Sequence, residues 1–237
     1  MDHGRLADAI ARLDRAAAPA AERFDAREPL AGPIAFLPAA FNPPTVAHLR
    51  LLERAAEAVS AAPAALLTTR NVDKGVTGAP LHARIEMLLA ARRDGYRHAV
   101  LAANAARIID QVAALEAAFP AADPTPVVGF DTLVRLFDPR YYTSMTSELD
   151  RFFERRRVIA ANRGPHALEA VAEWLRTNAR EYEHRVILVE LDPEAAAISS
   201  TRARELAAAG ILPDLVPPAV RAILAERRYY RAPAGPT

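Results

Sequence analysis

A mostly parallel, doubly wound α/β sheet with helices on both faces is predicted by three features of the sequence. Short apolar runs suited to strands, at 34–37, 65–69, 99–103, 126–129, 157–161 and 185–189, alternate with stretches whose apolar residues recur at helical spacing. Those runs are mostly apolar, as strands covered on both faces require. Each polar cluster falls just after a strand or at a helix start: Asn42 to His48, Asp73-Lys74, Gly129 to Asp131, Arg163, and Ser199 to Arg204. Ligands bind at the carboxyl ends of the strands in such sheets.

In chain order, 2–18 reads as an amphipathic helix with Leu6, Ile10 and Leu13 on one stripe. An Ala/Pro-rich connector, 17–32, follows, and the helix is expected as an appendage packed on the main domain. Strand 34–37 leads to helix 45–60, and strand 65–69 to a polar loop and helix 81–93. Strand 99–103 precedes helix 105–118, and the short strand 126–129 runs into a helix containing Leu133, Leu136 and Phe137. Helix 146–155, strand 157–161, helix 166–181 and strand 185–189 close the alternation. Helices at 200–208 and after Pro217-Pro218 end the fold. The expected organisation is an N-terminal helix and linker (1–32), one domain (33–230) and a disordered tail (231–237).

A chain of 237 residues that is 51% hydrophobic can bury a sizeable core. Lys and Arg total 30 against 29 acidic residues, so no global field favours nucleic acid or an anionic membrane. The absence of cysteine excludes disulfides, thiolate nucleophiles and Cys-ligated zinc. The N-terminus lacks the apolar core of a signal peptide, and no apolar run approaches the roughly 20 residues that span a bilayer. A cytoplasmic protein is the expectation. No GxGxxG, GxxxxGK[ST] or GxSxG motif is present.

The most informative stretch is IAFLPAAFNPPTVAH, 34–48. Strand, tight turn and a helix preset by proline lay out an anion site, because free backbone N–H groups and the helix dipole face the turn. Thr45 and His48, three apart, project from one helical face one turn deep.

Three segments then carry a family resemblance. AAFNPPTVAH (39–48) resembles the (G/S)-(S/T)-F-(N/D)-P-x-(H/T)-x-(G/A)-H signature of nucleotidyltransferases that adenylylate or cytidylylate small phosphorylated substrates. ISSTRAR (198–204) is similar to their second signature, I-S-S-T-x-I-R, and VVGFDTLVRLF (127–137) to their G-x-D-x-L segment. The resemblance covers roughly 33–230 and implies a Rossmann-like nucleotidyltransferase domain. Within it, FNPPT-A-H, NVDKG (71–75), HARIEML (82–88) and DPRYY (138–142) look most like nicotinamide or nicotinate mononucleotide adenylyltransferases, especially of the eukaryotic and fungal type.

The resemblance implies transfer of AMP from ATP to a mononucleotide phosphate, forming NAD or its deamido form and pyrophosphate. Such attack on an α-phosphate needs little acid–base help, since the nucleophile is ionised and pyrophosphate leaves well. The demand is for positioning and for neutralising charge in the transition state. His48, Thr45, Lys74 and Arg204 are the implied catalytic set, with His48 Nε2 on the α-phosphate and Arg204 on the β- and γ-phosphates. Phe41, Asn42, Gly129, Asp131, Arg163, Ser199, Ser200 and Thr201 are implied nucleotide contacts. Ser199 to Thr201 also read as a helix N-cap, Asp131 as a cap for 132–137, and Asn42 as a residue that holds the turn. Tyr141 or Tyr142 is the expected acceptor stack, because Trp174, the sole tryptophan, reads as packing within helix 166–181. Mg²⁺ is expected to ride on ATP, with no protein metal site. ATP and a small phosphorylated acceptor are the expected partners, with a homo-oligomer left open.

The sequence departs from the family at Ala39-Ala40, where Gly-Ser is usual, and at Ala203 in place of isoleucine. A cytidylyl- or adenylyltransferase acting on another phosphorylated molecule such as phosphopantetheine is one alternative. A non-catalytic nucleotide-binding member is another.

Overall fold

The computed structural model describes residues 3–70, 78–162 and 167–230. After helix α1 (His3–Arg15) and a short strand β1 (Ala21–Arg23), the chain enters the middle of the sheet at β2 (Gly32–Pro38). It winds outward through α2 (Val46–Ala58), β3 (Ala62–Thr68), α3 (Leu81–Ala91) and β4 (Ala99–Ala103). Helix α4 (Ile108–Ala118) then returns it to β5 (Ala122–Gly129), which pairs in parallel with the other side of β2. Next come α5 (Phe130–Leu136), α6 (Met145–Arg155), β6 (Val158–Ala161), α7 (Leu168–Asn178) and β7 (Val186–Val189). Helices α8 (Pro193–Ala197), α9 (Ser200–Ala208) and α10 (Pro218–Arg227) follow. The strand order is β1-β4-β3-β2-β5-β6-β7, parallel except for β1 at the edge. Winding reverses between β2 and β5, so the crevice at their carboxyl ends is the topological switch point.

Side chains alternate across β2 and supply two cores. Ala35 and Leu37 pack with Leu51 and Leu52 of α2, Ile85 and Leu88 of α3, and Val220 of α10. Ile34 and Phe36 face Leu115, Leu133, Leu149, Phe153 and Leu175 on the opposite side. Helices therefore cover both faces of a Rossmann-like sheet, as the periodicity predicts.

Leu6 and Leu13 of α1 are buried in the first core, contributing about 1.5–3 kcal/mol each, so the helix packs on the main domain. Three features differ from the sequence reading. The connector is ordered by Asn104, whose Nδ2 donates to the carbonyls of Ala16 and Ala18 and whose Oδ1 accepts the Ala20 N–H, which seats β1 against β4. Strand β5 starts at Ala122 although Pro124 and Pro126 argue against a strand. Pairing with β6 begins only at Val127, so both prolines lie where β5 has one bonded neighbour. Helix α7 ends at Asn178, and 180–185 forms a 3₁₀ segment instead of its last turn. Lys74, Arg163 and the tail 231–237 lie outside the described residues. No helix among those described is long and apolar enough to cross a membrane.

Candidate active site

Past the carboxyl end of β2 the backbone turns sharply: Phe41 adopts φ +43° and the Asn42–Pro43 peptide is cis. Thr45 then caps α2 in an extended conformation, φ −112° and ψ 161°. Its hydroxyl accepts the His48 N–H at 3.4 Å, while its own N–H donates to His48 Nδ1 at 3.1 Å. The pair forms a capping box with histidine in the place usually held by Glu or Gln. Thr45 is 0% exposed and His48 4%. A backbone N–H can only donate, so Nδ1 is the unprotonated nitrogen, and the neutral ring carries its proton on Nε2. The Phe41 ring is buried under that imidazole, 5.1 Å between centroids at 55°.

The expectation of free N–H groups at this helix start is narrowed by the same geometry. Thr45 and His48 donate to each other's side chains, and the Val46 N–H donates to the Leu215 carbonyl at 2.9 Å. What this stretch offers an anion is the His48 ring more than its amides.

Asn42 is 7% exposed and joins four segments. Its Oδ1 accepts the Ala79 N–H at 3.2 Å and the Tyr230 hydroxyl at 2.7 Å, and its carbonyl accepts from Arg204 at 2.8 Å. Of the two readings of Asn42, holding the turn is the one these bonds describe. Gly78, at φ +83°, abuts the Asn42 amide so closely that a Cβ there would stand 2.7 Å from Nδ2.

The second stretch docks on this turn. Ser199 caps α9 by accepting the Arg202 N–H at 3.1 Å. The Ser200 hydroxyl donates to the Pro43 carbonyl at 2.9 Å, and Arg204 reaches the Asn42 carbonyl while its other nitrogen donates to Thr201 Oγ1 at 3.0 Å. Residues 157 to 162 positions apart are thereby brought together at the switch point. The Ser200 and Thr201 amides, at the start of α9, have no intrahelical acceptor and no other among the described residues.

At the end of β5, Gly129 is the N-cap of α5, which starts two residues earlier than the sequence suggests. Asp131 therefore lies exposed in the first helical turn, not at the cap. Tyr141 and Tyr142 belong to the same rim, because Arg107, the N-cap residue of α4 just past β4, fastens them. It donates to the Tyr141 carbonyl at 2.9 Å and lies 5.4 Å from the Tyr142 ring centroid. The Tyr142 hydroxyl donates to the Leu136 carbonyl at 2.5 Å, and burial pushes that phenol up to about 12. Trp174 packs against Phe130 and Phe137.

Two residues beside the site escaped the sequence reading. Arg84 is buried; its Nε donates to the Ala79 carbonyl at 2.7 Å and another nitrogen to the Ala40 carbonyl at 3.2 Å. Burial, and to a smaller degree Arg204, lowers its pKa from the usual arginine value. Tyr230 contributes the hydroxyl on Asn42, and burial raises its pKa, so it is a protonated donor. Arg84 stands in the HARIEML segment but its spacing marks only a helix, and Tyr230 carries no local signal.

Against known proteins, the cytidylyltransferase-like family profile matches residues 36–206. A Schizosaccharomyces pombe protein provisionally named nicotinamide mononucleotide adenylyltransferase is 27% identical over 196 residues, 75% of this chain and 77% of that protein. The fold matches the Plasmodium falciparum nicotinic acid mononucleotide adenylyltransferase complexed with NaAD, at a TM-score of 0.60 and 15% identity, over 84% of this chain and 97% of that one. The same enzyme complexed with APC gives 0.57 at 13% identity, over 84% and 96%.

Proposed function

The chain belongs to the cytidylyltransferase-like family, and on that premise we propose that it transfers AMP from ATP to the 5′-phosphate of nicotinamide or nicotinate mononucleotide. The observation that carries this reading is the docking of Ser199–Arg204 onto the Asn42–His48 turn at the switch point. The names of the relatives above supply the pyridine nucleotide.

In this mechanism an acceptor phosphate oxygen attacks the α-phosphorus of ATP. The bond from that phosphorus to the β-bridging oxygen breaks, and pyrophosphate leaves with the electron pair. No proton need move, so the site needs donors and not a base. His48 Nε2–H donates to a non-bridging α-phosphate oxygen; Thr45 fixes the ring and its tautomer. Arg204 and the Ser200 and Thr201 amides take the β- and γ-phosphates, and Ser199 orders the helix that presents them. Lys74, which follows β3 in the sequence, is assigned a triphosphate contact. Gly129, Asp131 and Arg163 are assigned to the nucleoside, and Tyr141 or Tyr142 to the acceptor ring. Among the described residues no group of three or more His, Asp or Glu side chains could hold a metal ion. Mg²⁺ is assigned to the ATP phosphates, as part of the substrate.

The test is pyrophosphate release with ATP or CTP against nicotinamide mononucleotide, nicotinate mononucleotide and phosphopantetheine. Release with ATP and either pyridine mononucleotide is expected. Release only with CTP, or only with phosphopantetheine, would replace the proposal. ATP binding without release would mark a non-catalytic member.

A further inference from the structure

We propose that Tyr230 is a positioning residue for the triphosphate half of the site, acting through Asn42. This deepens the reading just given and rests on it.

The Tyr230 hydroxyl reaches Asn42 Oδ1 at 2.7 Å from 188 positions away. That oxygen also accepts the Ala79 N–H, and the carbonyl of the same asparagine accepts from Arg204. One side chain from the C-terminal end of the fold thus holds the Asn42 side-chain amide, whose oxygen also anchors the segment before α3, while the backbone carbonyl of the same residue holds the guanidinium of α9. The packing around it is tight. A Cβ on Gly78 would stand 3.0 Å from Tyr230 Cε1 and 2.8 Å from Asn42 Oδ1. An amide this buried needs its partners fixed, because an oxygen that loses a donor turns or draws in water. A shifted Asn42 side chain would loosen the turn whose backbone carbonyl holds Arg204, and Arg204 would follow. Tyr230 touches no reacting atom in this scheme; its effect falls on ATP binding and not on the chemical step.

Three full-length proteins test this: the parent, Tyr230→Phe and Tyr229→Phe. ATP affinity is read by calorimetry, turnover by pyrophosphate release, and local order by amide hydrogen exchange at Ala79. Losing one neutral hydrogen bond should weaken ATP binding by about fivefold in Tyr230→Phe. Turnover at saturating ATP should stay within about twofold, and exchange at Ala79 should speed up. Tyr229→Phe should match the parent in all three. An ATP affinity for Tyr230→Phe equal to the parent's overturns the proposal, and so does a loss of thermal stability with affinity unchanged. Failure of the parent itself to bind ATP sinks the nucleotide reading first and this one with it, so the two failures are told apart.

Discussion

Thr45 and His48 are buried and bond to each other, whereas Ser199 and Thr201 stand exposed and α9 reaches its neighbours through the Ser200 hydroxyl and Arg204. The first stretch uses the Thr45 and His48 donors within its own cap and the Val46 donor on Leu215, and it is set by that cap, the core beneath and the contacts of Asn42. The second keeps two amides at an open helix start and takes its position from the carbonyls of Asn42 and Pro43. Changes in the first stretch should therefore cost stability and activity together. Changes to the docking contacts of the second, Ser200 and Arg204, should cost affinity with little effect on folding.

The largest effect is expected at His48. Removing one charge-stabilising donor lowers turnover by about 10² to 10³. Because the ring also accepts the Thr45 N–H, His48→Ala should lose about 1 kcal/mol of stability as well. His48→Asn keeps an acceptor near the Nδ1 position but has nothing at Nε2. It should recover part of the melting temperature and none of the turnover. Near-parental AMP transfer by the Asn variant would remove His48 Nε2 from the mechanism.

How far such a contrast could be read from sequence depends on the range of the interactions involved. The alternation of strands and helices is local, and the helix α9 at 200–208 and the strand β4 at 99–103 match residue for residue. Ser199 is legible as a cap because capping acts over three residues. Strand β1 is not legible, because Asn104 orders it from 84 positions away. The start of β5 is hidden by two prolines whose tolerance depends on which neighbour begins where. Within the site, Asn42, His48 and Arg204 stand out in the motifs, but that Asn42 is a junction, held by Tyr230 and pressed by Gly78, is set by tertiary contacts alone.

Arg204 comes next. Arg204→Ala should weaken ATP binding by about 10- to 100-fold, the scale of charge-assisted hydrogen bonds. Its melting temperature should fall only slightly, by the net worth of partly exposed hydrogen bonds, about 1 kcal/mol. Arg204→Lys keeps the charge but loses the fork that serves Asn42 and Thr201 at once, so it should recover only part of the affinity. Unchanged ATP affinity in the Ala variant would end the phosphate role. A large stability loss would end the contrast between the two stretches.

Gly78 probes the first stretch from outside. Both Gly78 and Gly95 have positive φ, +83° and +97°, but nothing lies within 4 Å of a Cβ on Gly95. Alanine at Gly95 meets backbone strain alone, on the order of 1 kcal/mol. Alanine at Gly78 also displaces Asn42, so its loss should be larger, about 2 kcal/mol or roughly 4–8 °C in melting temperature. ATP affinity should fall only in the Gly78 variant. Equal effects of the two substitutions would mean that Asn42 yields freely, and the turn would not be the fixed half.

The smallest effects separate two adjacent serines. Ser199 accepts an N–H within its own helix, so Ser199→Ala should cost about 1 kcal/mol of stability, as cap removals do. Ser200 donates across the site to the Pro43 carbonyl, and Ser200→Ala should cost about 1 kcal/mol of docking, a several-fold loss of ATP affinity. The contrast predicts a crossing: thermal stability falls more for Ser199→Ala, and ATP affinity falls more for Ser200→Ala. Calorimetry on both variants would show it. If Ser200→Ala lowered the melting temperature and left ATP affinity alone, α9 would hold its place without the turn, and the second stretch would be as self-sufficient as the first.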